Sequence, residues 1–285
     1  MFEYLKDNDM DLLSETMLEV LEKMGMFCQN REMLESFEKM GAQVDFEKEN
    51  AKFPKRLVQA FIDKIKKENS PDVDKNFTGV NRKKTTAKFE APPPPCILHQ
   101  LATFLYDDEQ GKKRPGNKQD FINVTKFGDV LHPECGVGHS LSLLDVPAPV
   151  EPLEAALLLY EYAHKPIGVY VQDVRQIDYL KEIEALAGIK DPYWHYLANI
   201  AFASPLRLGK DIADRFVYMV KSGDYPAKVY SMGVSGLSMP VTAAGSVVLT
   251  GAELVALWIS ARSLNPNISL SGTVLTGTMN MHNEW

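Results

Sequence analysis

Residues 228–258 read KVYSMGVSGLSMPVTAAGSVVLTGAELVALW. Lys228 to Met232 is a short β-type run. A turn rich in small residues follows, with Gly233, Ser235, Gly236 and Ser238. Pro240 and Thr242 then open a long apolar helix built largely from small residues. A strand, a glycine-rich turn and a helix N-terminus in this order is how α/β proteins build small-molecule sites. Glycines allow close backbone approach, and the unpaired N–H groups of the first helical turn face the ligand. The spacing is neither GxGxxG nor a P-loop, since no Lys-Ser/Thr follows. The motif therefore gives a place for a site and leaves its ligand open, and a plain βα connection would look the same.

Working outward, the chain from about residue 130 alternates strands and helices. Expected strands are Val137–Leu144, Ile167–Val171, Ile200–Ala203, Val229–Met232 and Ile268–Gly272. The expected helices between them are Pro152–His164, Ile177–Ala187, Gly209–Lys221 and Thr242–Ser263. Repeated βα units imply a parallel sheet. The residues alone leave two closures open, a doubly wound sheet or a (β/α)8 barrel. With five strands visible, an open sheet is complete, whereas a barrel would be left with unpaired edges.

The N-terminal part has a different period. Met17, Leu18, Leu21 and Met24 follow helical spacing up to Gly25. A second helix is expected over Asn30–Met40, with Met33, Leu34 and Phe37 inward and Gly41 as its stop. Val44–Phe53 reads as a hairpin or extended link. Pro54 then begins a third helix with Leu57, Val58, Phe61, Ile62 and Ile65 on one face. Residues 69–95 form a polar connection ending in Pro92–Pro95. The stretch CILHQLATFLYDDEQGKKRPG reads as a β-hairpin turning at Asp108–Gly111. This gives three segments: a helical N-terminal region at 1–75, then a Pro-rich connection, hairpin and leading helix at 76–130, and βα units at 131–285.

Bulk properties narrow the class. The chain has 285 residues, 45% hydrophobic and 24% charged, as expected of a globular protein. A net charge of −7 speaks against a nucleic-acid partner. Cys28, Cys96 and Cys135 share no CxxC spacing, which suggests a reducing compartment. The acidic N-terminus lacks the pattern of a signal peptide, and Glu253 interrupts the apolar run Val241–Ile259, so no membrane span is expected. A cytoplasmic location follows. The six histidines show no metal-ligand spacing, and no Ser-His-Asp arrangement is evident.

Four blocks in order resemble a known family, the trimethylamine methyltransferases that pass methyl groups to corrinoid proteins. Ser14–Ile62 carries Leu-Glu-x-x-Gly and Gly-Ala-x-Val-Asp followed by a Pro-started helix. Tyr106–Asp120 matches the Tyr-Asp…Gly…Arg-Pro…Asp hairpin pattern. Leu144–Ile167 resembles the first strand and helix. Ala203–Pro266 is the closest block, with Ser-Pro-Leu, Pro-Val-Thr and Ala-Glu. The resemblance implies an α/β fold of TIM (β/α)8-barrel type behind a helical N-terminal region, incomplete at the C-terminus. It also implies transfer of a methyl group from a small methylated amine, trimethylamine or a quaternary amine such as glycine betaine. The acceptor would be the Co(I) corrinoid of a partner protein, with no cofactor held directly by this chain. A part-barrel with exposed edges would be poorly soluble or a homo-oligomer, and inactive alone. A non-catalytic remnant or a different TIM-barrel enzyme remains the alternative.

In such a barrel, chemistry sits at the C-terminal strand ends. These ends place Asp145, Gln172, Asp173, Ser204, Pro205, Met232–Gly236 and Thr273 around one cavity. The substrate-binding candidates are Asp173, Ser204, Met232, Gly233, Ser235, Gly236, Thr242 and Glu253; the catalytic residues stay unassigned. Asp145 and Asp173 could equally cap the helices that follow them, and Ser204-Pro205 could start one. Glu253, alone in an apolar helix, could be a buried carboxylate that needs a partner or a proton and supports the substrate or the cofactor partner, or else an exposed or ion-paired helical residue. His139 and Cys135 read as core. A quaternary ammonium favours aromatic faces and carboxylates, and Tyr170, Phe202 and Tyr230 lie in the expected strands.

Overall fold

The computed structural model describes residues 6–68, 101–131, 133, 136–188, 200–201, 203–223 and 226–279. Cys96, Cys135 and Phe202 lie outside them. The chain divides into two compact units, Met1–Asn81 with Ala198–Trp285, and Arg82–Leu197. These units do not follow the three linear segments expected. The N-terminal helices group with the chain that begins before the strand at Ile200.

The first unit opens with α1 (Asp7–Lys23), β1 (Met26–Cys28), α2 (Arg31–Met40), β2 (Gln43–Asp45), β3 (Asn50–Lys52) and α3 (Lys55–Glu68). The helical periodicity holds: Met17, Leu18 and Leu21 are buried on α1, and Met33, Leu34 and Phe37 on α2. Met24 departs from it, being 59% exposed just past the end of the helix. Asn30 caps α2 by accepting from the Met33 amide at 2.9 Å, and Gly41 closes it in the left-handed conformation, φ +95°. The expected hairpin is present as β2 and β3 in antiparallel register. β1 was not expected, because three residues show no period.

The same unit continues, after the elements of the other unit, with β8 (Ile200–Ala201), β9 (Arg207–Leu208), α7 (Lys210–Ser222), β10 (Ala227–Ser235), α8 (Ala243–Leu264) and β11 (Leu270–Thr278). β8, β10 and β11 form a parallel sheet with β10 central. β10 and β11 run in register from Ala227 opposite Leu270 to Ser235 opposite Thr278. Both strands extend further than the sequence indicates. β10 does not stop at Met232, and the last strand reaches Thr278 rather than Gly272. β9 joins β1 in parallel, so the loop leaving β8 becomes the fourth strand of the N-terminal sheet β2-β3-β1-β9.

α8 packs against β10 on one side and α1 and α2 on the other. By length and composition it is apolar enough to cross a membrane, which corrects the expectation that no window would qualify. Here it is the central core helix, with Ala252, Ala256, Leu257, Ile259 and Ala261 inaccessible.

The second unit contains β4 (Phe104–Asp107), β5 (Lys112–Pro115), α4 (Lys118–Leu131), β6 (Val137–Gly138), α5 (Glu151–Tyr162), β7 (Pro166–Gly168) and α6 (Gln176–Leu186). β4 and β5 form the expected hairpin. Arg114 and Asp120 of the family pattern make a bidentate pair at 2.6 and 2.8 Å, fastening the hairpin to the first turn of α4. The long strand expected over Val137–Leu144 is only two residues in ladder form. Its register with β7 is interrupted at Val137/Gly138, and the chain then turns to bridge Ala102 through Leu141.

The His164 imidazole meets Asp129 at 2.5 Å, and the His164 amide donates to the same carboxylate at 2.8 Å. The hydrogen bond to Asp129 raises the His164 pKa from its ordinary 6.5 and lowers that of the aspartate. A raised histidine stabilises the fold fully below the unfolded value and loses that contribution as pH climbs through the folded one. Urea midpoints measured from about pH 5.5 to about pH 8.5 should therefore fall as pH rises, and fall less in His164→Ala. An identical slope in the variant would show that this exposed pair contributes nothing.

Candidate functional site

At the C-terminal end of β10 the strand runs through Gly233 and Val234 to Ser235, and the turn begins only at Gly236. Gly233 is thus a strand residue. A Cβ there would lie 2.4 Å from the Met239 side chain, so its role is close packing of Met239. Gly236 takes φ +85°, the left-handed conformation that a turn of this shape requires. Val234 O accepts from the amides of Leu237, Ser238 and Met239 at 3.0–3.1 Å. Ser238 Oγ accepts from the Val234 amide at 3.0 Å. This is a rigid, internally bonded turn.

Thr242 is the N-cap of α8, its Oγ1 accepting from the Gly245 amide at 3.1 Å. Ser246 Oγ donates to Pro240 O at 2.9 Å and lies 2.8 Å from Ser235 Oγ. The end of β10 and the start of α8 are therefore stitched together by hydroxyls. Ser235, Gly236 and Thr242, singled out from sequence, do meet at one place. Met232 points away from the buried face and is 53% exposed.

Next to this turn is an apolar cavity of about 650 Å³. Leu12 and Val20 of α1 and Met24 just past it line it on the N-terminal side, together with Pro205 and with Met239, Val248 and Leu249. No aromatic or carboxylate side chain lines it. It lies at the C-terminal ends of parallel strands, where ligands of α/β proteins bind. The N-terminal region supplies five of its fourteen lining residues, which the sequence did not indicate.

Beneath the cavity, Glu253 is wholly inaccessible. Ser204 Oγ and Ser231 Oγ donate to its Oε2 at 3.0 and 2.6 Å, and the Leu206 amide donates to Oε1 at 2.9 Å. Glu253 is thus the buried, partnered residue and neither an exposed helical glutamate nor half of an ion pair. The burial cost of its carboxylate is offset by donors of the chain itself. Leu206, held at φ +51°, accepts from the Phe27 amide through its carbonyl at 3.0 Å. Through this network α8 fixes β10, the turn after β8 and the N-terminal sheet together. Ser204-Pro205, a cis peptide bond, is part of that turn and does not start a helix; α7 begins at Lys210.

Sequence reasoning missed Ser231 and Ser246. A period-2 signal was present for Ser231, since Ala227, Val229, Ser231, Gly233 and Ser235 share the buried face of β10. Ser246 gave no comparable signal.

The remaining candidates lie elsewhere. Asp173 belongs to the second unit, where its Oδ1 accepts from the Arg175 amide and the carboxylate pairs with the Arg175 guanidinium. Gln176 Oε1 accepts from the Gln172 and Asp173 amides at 3.0 Å, closing the turn before α6. Asp145 accepts from the Lys118 amide and so caps α4, not the helix that follows it. His139 is buried, as expected. Its Nδ1 accepts from the Tyr170 amide at 3.2 Å, so the ring proton sits on Nε2, which donates to Glu151 at 2.9 Å. Tyr230 and Thr273 face each other across β10 and β11.

Burial pushes the Cys28 thiol up to about 12, which removes it as a nucleophile. Among the described residues no group of three or more His, Cys, Asp or Glu side chains could hold a metal ion.

The architecture is that of parallel βα units with a cavity at the C-terminal end of β10. Residues 1–283 match the trimethylamine methyltransferase family model, and the chain belongs to that family. It is 25% identical over 253 residues to the trimethylamine methyltransferase of Desulfitobacterium hafniense, covering 87% of this chain and 49% of that protein. It is also 25% identical over 297 residues to an L-carnitine:corrinoid methyltransferase of Eubacterium limosum, covering 98% and 57%. A proline betaine:corrinoid methyltransferase of the same organism is 25% identical over 288 residues, covering 96% and 57%. The chain spans about half the length of the curated relatives it matches.

Proposed function

We propose that this chain is part of an enzyme that removes a methyl group from a small tertiary or quaternary amine and transfers it to the corrinoid of a partner protein. The observation that carries this reading is the family match across residues 1–283. The names of the relatives support it, since they act on trimethylamine, carnitine and proline betaine. The fold proposed for the whole protein is a (β/α)8 barrel. Its support is the parallel pairing of β6 with β7 and of β8, β10 and β11.

A methylated ammonium is a poor electrophile, and the partner's reduced corrinoid supplies a nucleophile strong enough to accept its methyl. The amine-binding protein then has to orient the substrate and exclude water, and needs no general base for a fully methylated amine. The cavity beside Met239 suits the methyl groups. With neither aromatic ring nor carboxylate in its lining, it does not suit the charge, so the groups that recognise the cation lie outside it. The N-terminus of α8 favours an anion, such as the carboxylate of a betaine.

The test is methyl transfer by the full-length protein with its cognate corrinoid protein, followed by corrinoid absorbance on a panel of trimethylamine, glycine betaine, carnitine and proline betaine. Turnover of one or more amines is expected. No turnover on any methylated amine, with a partner shown to be reducible, would remove this function.

A further inference from the structure

A second cavity, about 490 Å³, lies between α3, the end of α2 and the C-terminal end of α8. Its floor is apolar, with Met40, Leu57, Ala60 and Phe61, and its rim carries Arg56, Lys64 and Arg262. In a chain of net charge −7, α3 is unusual in carrying Lys55, Arg56, Lys64, Lys66 and Lys67 against Asp63 and Glu68. Arg262 is neutralised by Glu68 at 2.9 Å. Arg56 makes no ion pair among the described residues, and Lys64 reaches Glu68 only at 4.0 Å. Arg56, Ala60 and Lys64 fall on one helical stripe, spaced i, i+4, i+8: cation, apolar, cation.

A patch of opposite charge with an apolar residue in it is present on the same chain. On α1, Asp7 and Asp11 fall at i and i+4 with Met10 beside them, about 6 Å apart along the axis against about 12 Å between Arg56 and Lys64, a difference that the long Arg and Lys side chains can span. All three are exposed, Met10 by 53%. Among the described residues Asp7 and Asp11 make no ion pair. Their own helix cannot carry them to the groove. Lys55, at the start of α3, binds Glu15 and Glu19 of α1 and fixes the later turns of that helix. Asp7–Asp11, ahead of the part of α1 that lines the first cavity, are exposed throughout, and with the later turns held in place another molecule has to present them to the groove.

We propose that the α3 groove receives Asp7–Asp11 of α1 from a second copy of the chain, with Met10 on the apolar floor and Asp7 and Asp11 facing Arg56 and Lys64. The contact is self-complementary if the two copies exchange helices about a twofold axis, and head-to-tail otherwise.

Sedimentation velocity over a range of concentration and salt tests this. The wild-type chain should self-associate, more weakly at high salt. Asp7→Lys/Asp11→Lys and Arg56→Glu/Lys64→Glu should each weaken association roughly tenfold or more, because like charges then face each other. An equimolar mixture of the two variants should associate again, since each supplies the partner the other lacks. Met10→Glu, at an exposed site that folding does not depend on, should weaken association as well. A wild-type monomer at all concentrations would overturn the proposal. So would association that survives Met10→Glu and either charge reversal, as pairing through the exposed edge of β11 would, or a mixture that stays dissociated while both variants keep the wild-type circular dichroism spectrum.

Discussion

Replacing Glu253 by alanine is expected to destabilise the protein by about 3 kcal/mol or more, read from urea denaturation midpoints. The substitution removes one acceptor group and strands three donors in the interior: Ser204 Oγ, Ser231 Oγ and the Leu206 amide. The two hydroxyls can rotate toward other acceptors. The amide cannot, because its backbone is held at φ +51°. Glu253→Gln keeps one acceptor oxygen but aims an NH2 group at a donor, and should cost about 1–2 kcal/mol.

The two variants also give a local readout. Since Leu206 O accepts from the Phe27 amide, loosening this turn should speed hydrogen exchange at Phe27 before the core of α2 is affected. A loss below about 0.5 kcal/mol in the alanine variant, the range of an ordinary surface change, would mean that the network does not hold this turn.

Glu253 illustrates what the sequence makes legible. A lone carboxylate among Ala252, Leu254, Val255 and Ala256 stands out by chemistry, and burial with partners was one of two readings open. The partners were not legible. Ser204 is 49 residues away and Ser231 is 22, and no local rule pairs a helical glutamate with serines from two other segments. Periodicity worked where one face of an element packs on a core, as on α1 and α2. It failed for β1 and β9, which are too short to show a period and exist because they pair with each other.

Gly233 failed differently. A glycine after a β-run reads as a turn, but parallel pairing with β11 carries the strand through it to Ser235, so tertiary context overrode local propensity. The candidate site was legible to the same extent. The β10–α8 connection drew attention through its small residues, and Ser235, Gly236 and Thr242 do converge there. The α1 wall of the cavity was hidden, because nothing in residues 12–24 indicates which helix they meet.

That wall depends on a single residue, which gives the second large effect. Gly25→Ala is expected to cost about 3 kcal/mol or more, by two additive routes. Gly25 sits at φ +70°, where an L-residue with a Cβ loses about 1–2 kcal/mol. The new Cβ would also lie 2.1 Å from Ala51 O and 2.9 Å from Lys52 Cα. These are backbone atoms of β3, which cannot swing aside as a side chain would. Relief requires α1 to move from β3, just past whose end the Phe53 amide donates to Leu21 O at 3.0 Å and ties the two together.

Gly41→Ala separates the two routes. Gly41 has φ +95° but meets only Leu57 Cδ1 at 3.9 Å, so it should lose the conformational part alone, about 1 kcal/mol. If α1 is displaced in Gly25→Ala, the separation of Leu12 and Val20 from Val248 should increase, as measured by paramagnetic relaxation from a spin label on α1. Equal losses for Gly25→Ala and Gly41→Ala would show that β3 yields to the added methyl, and that the position of the α1 wall does not depend on this contact.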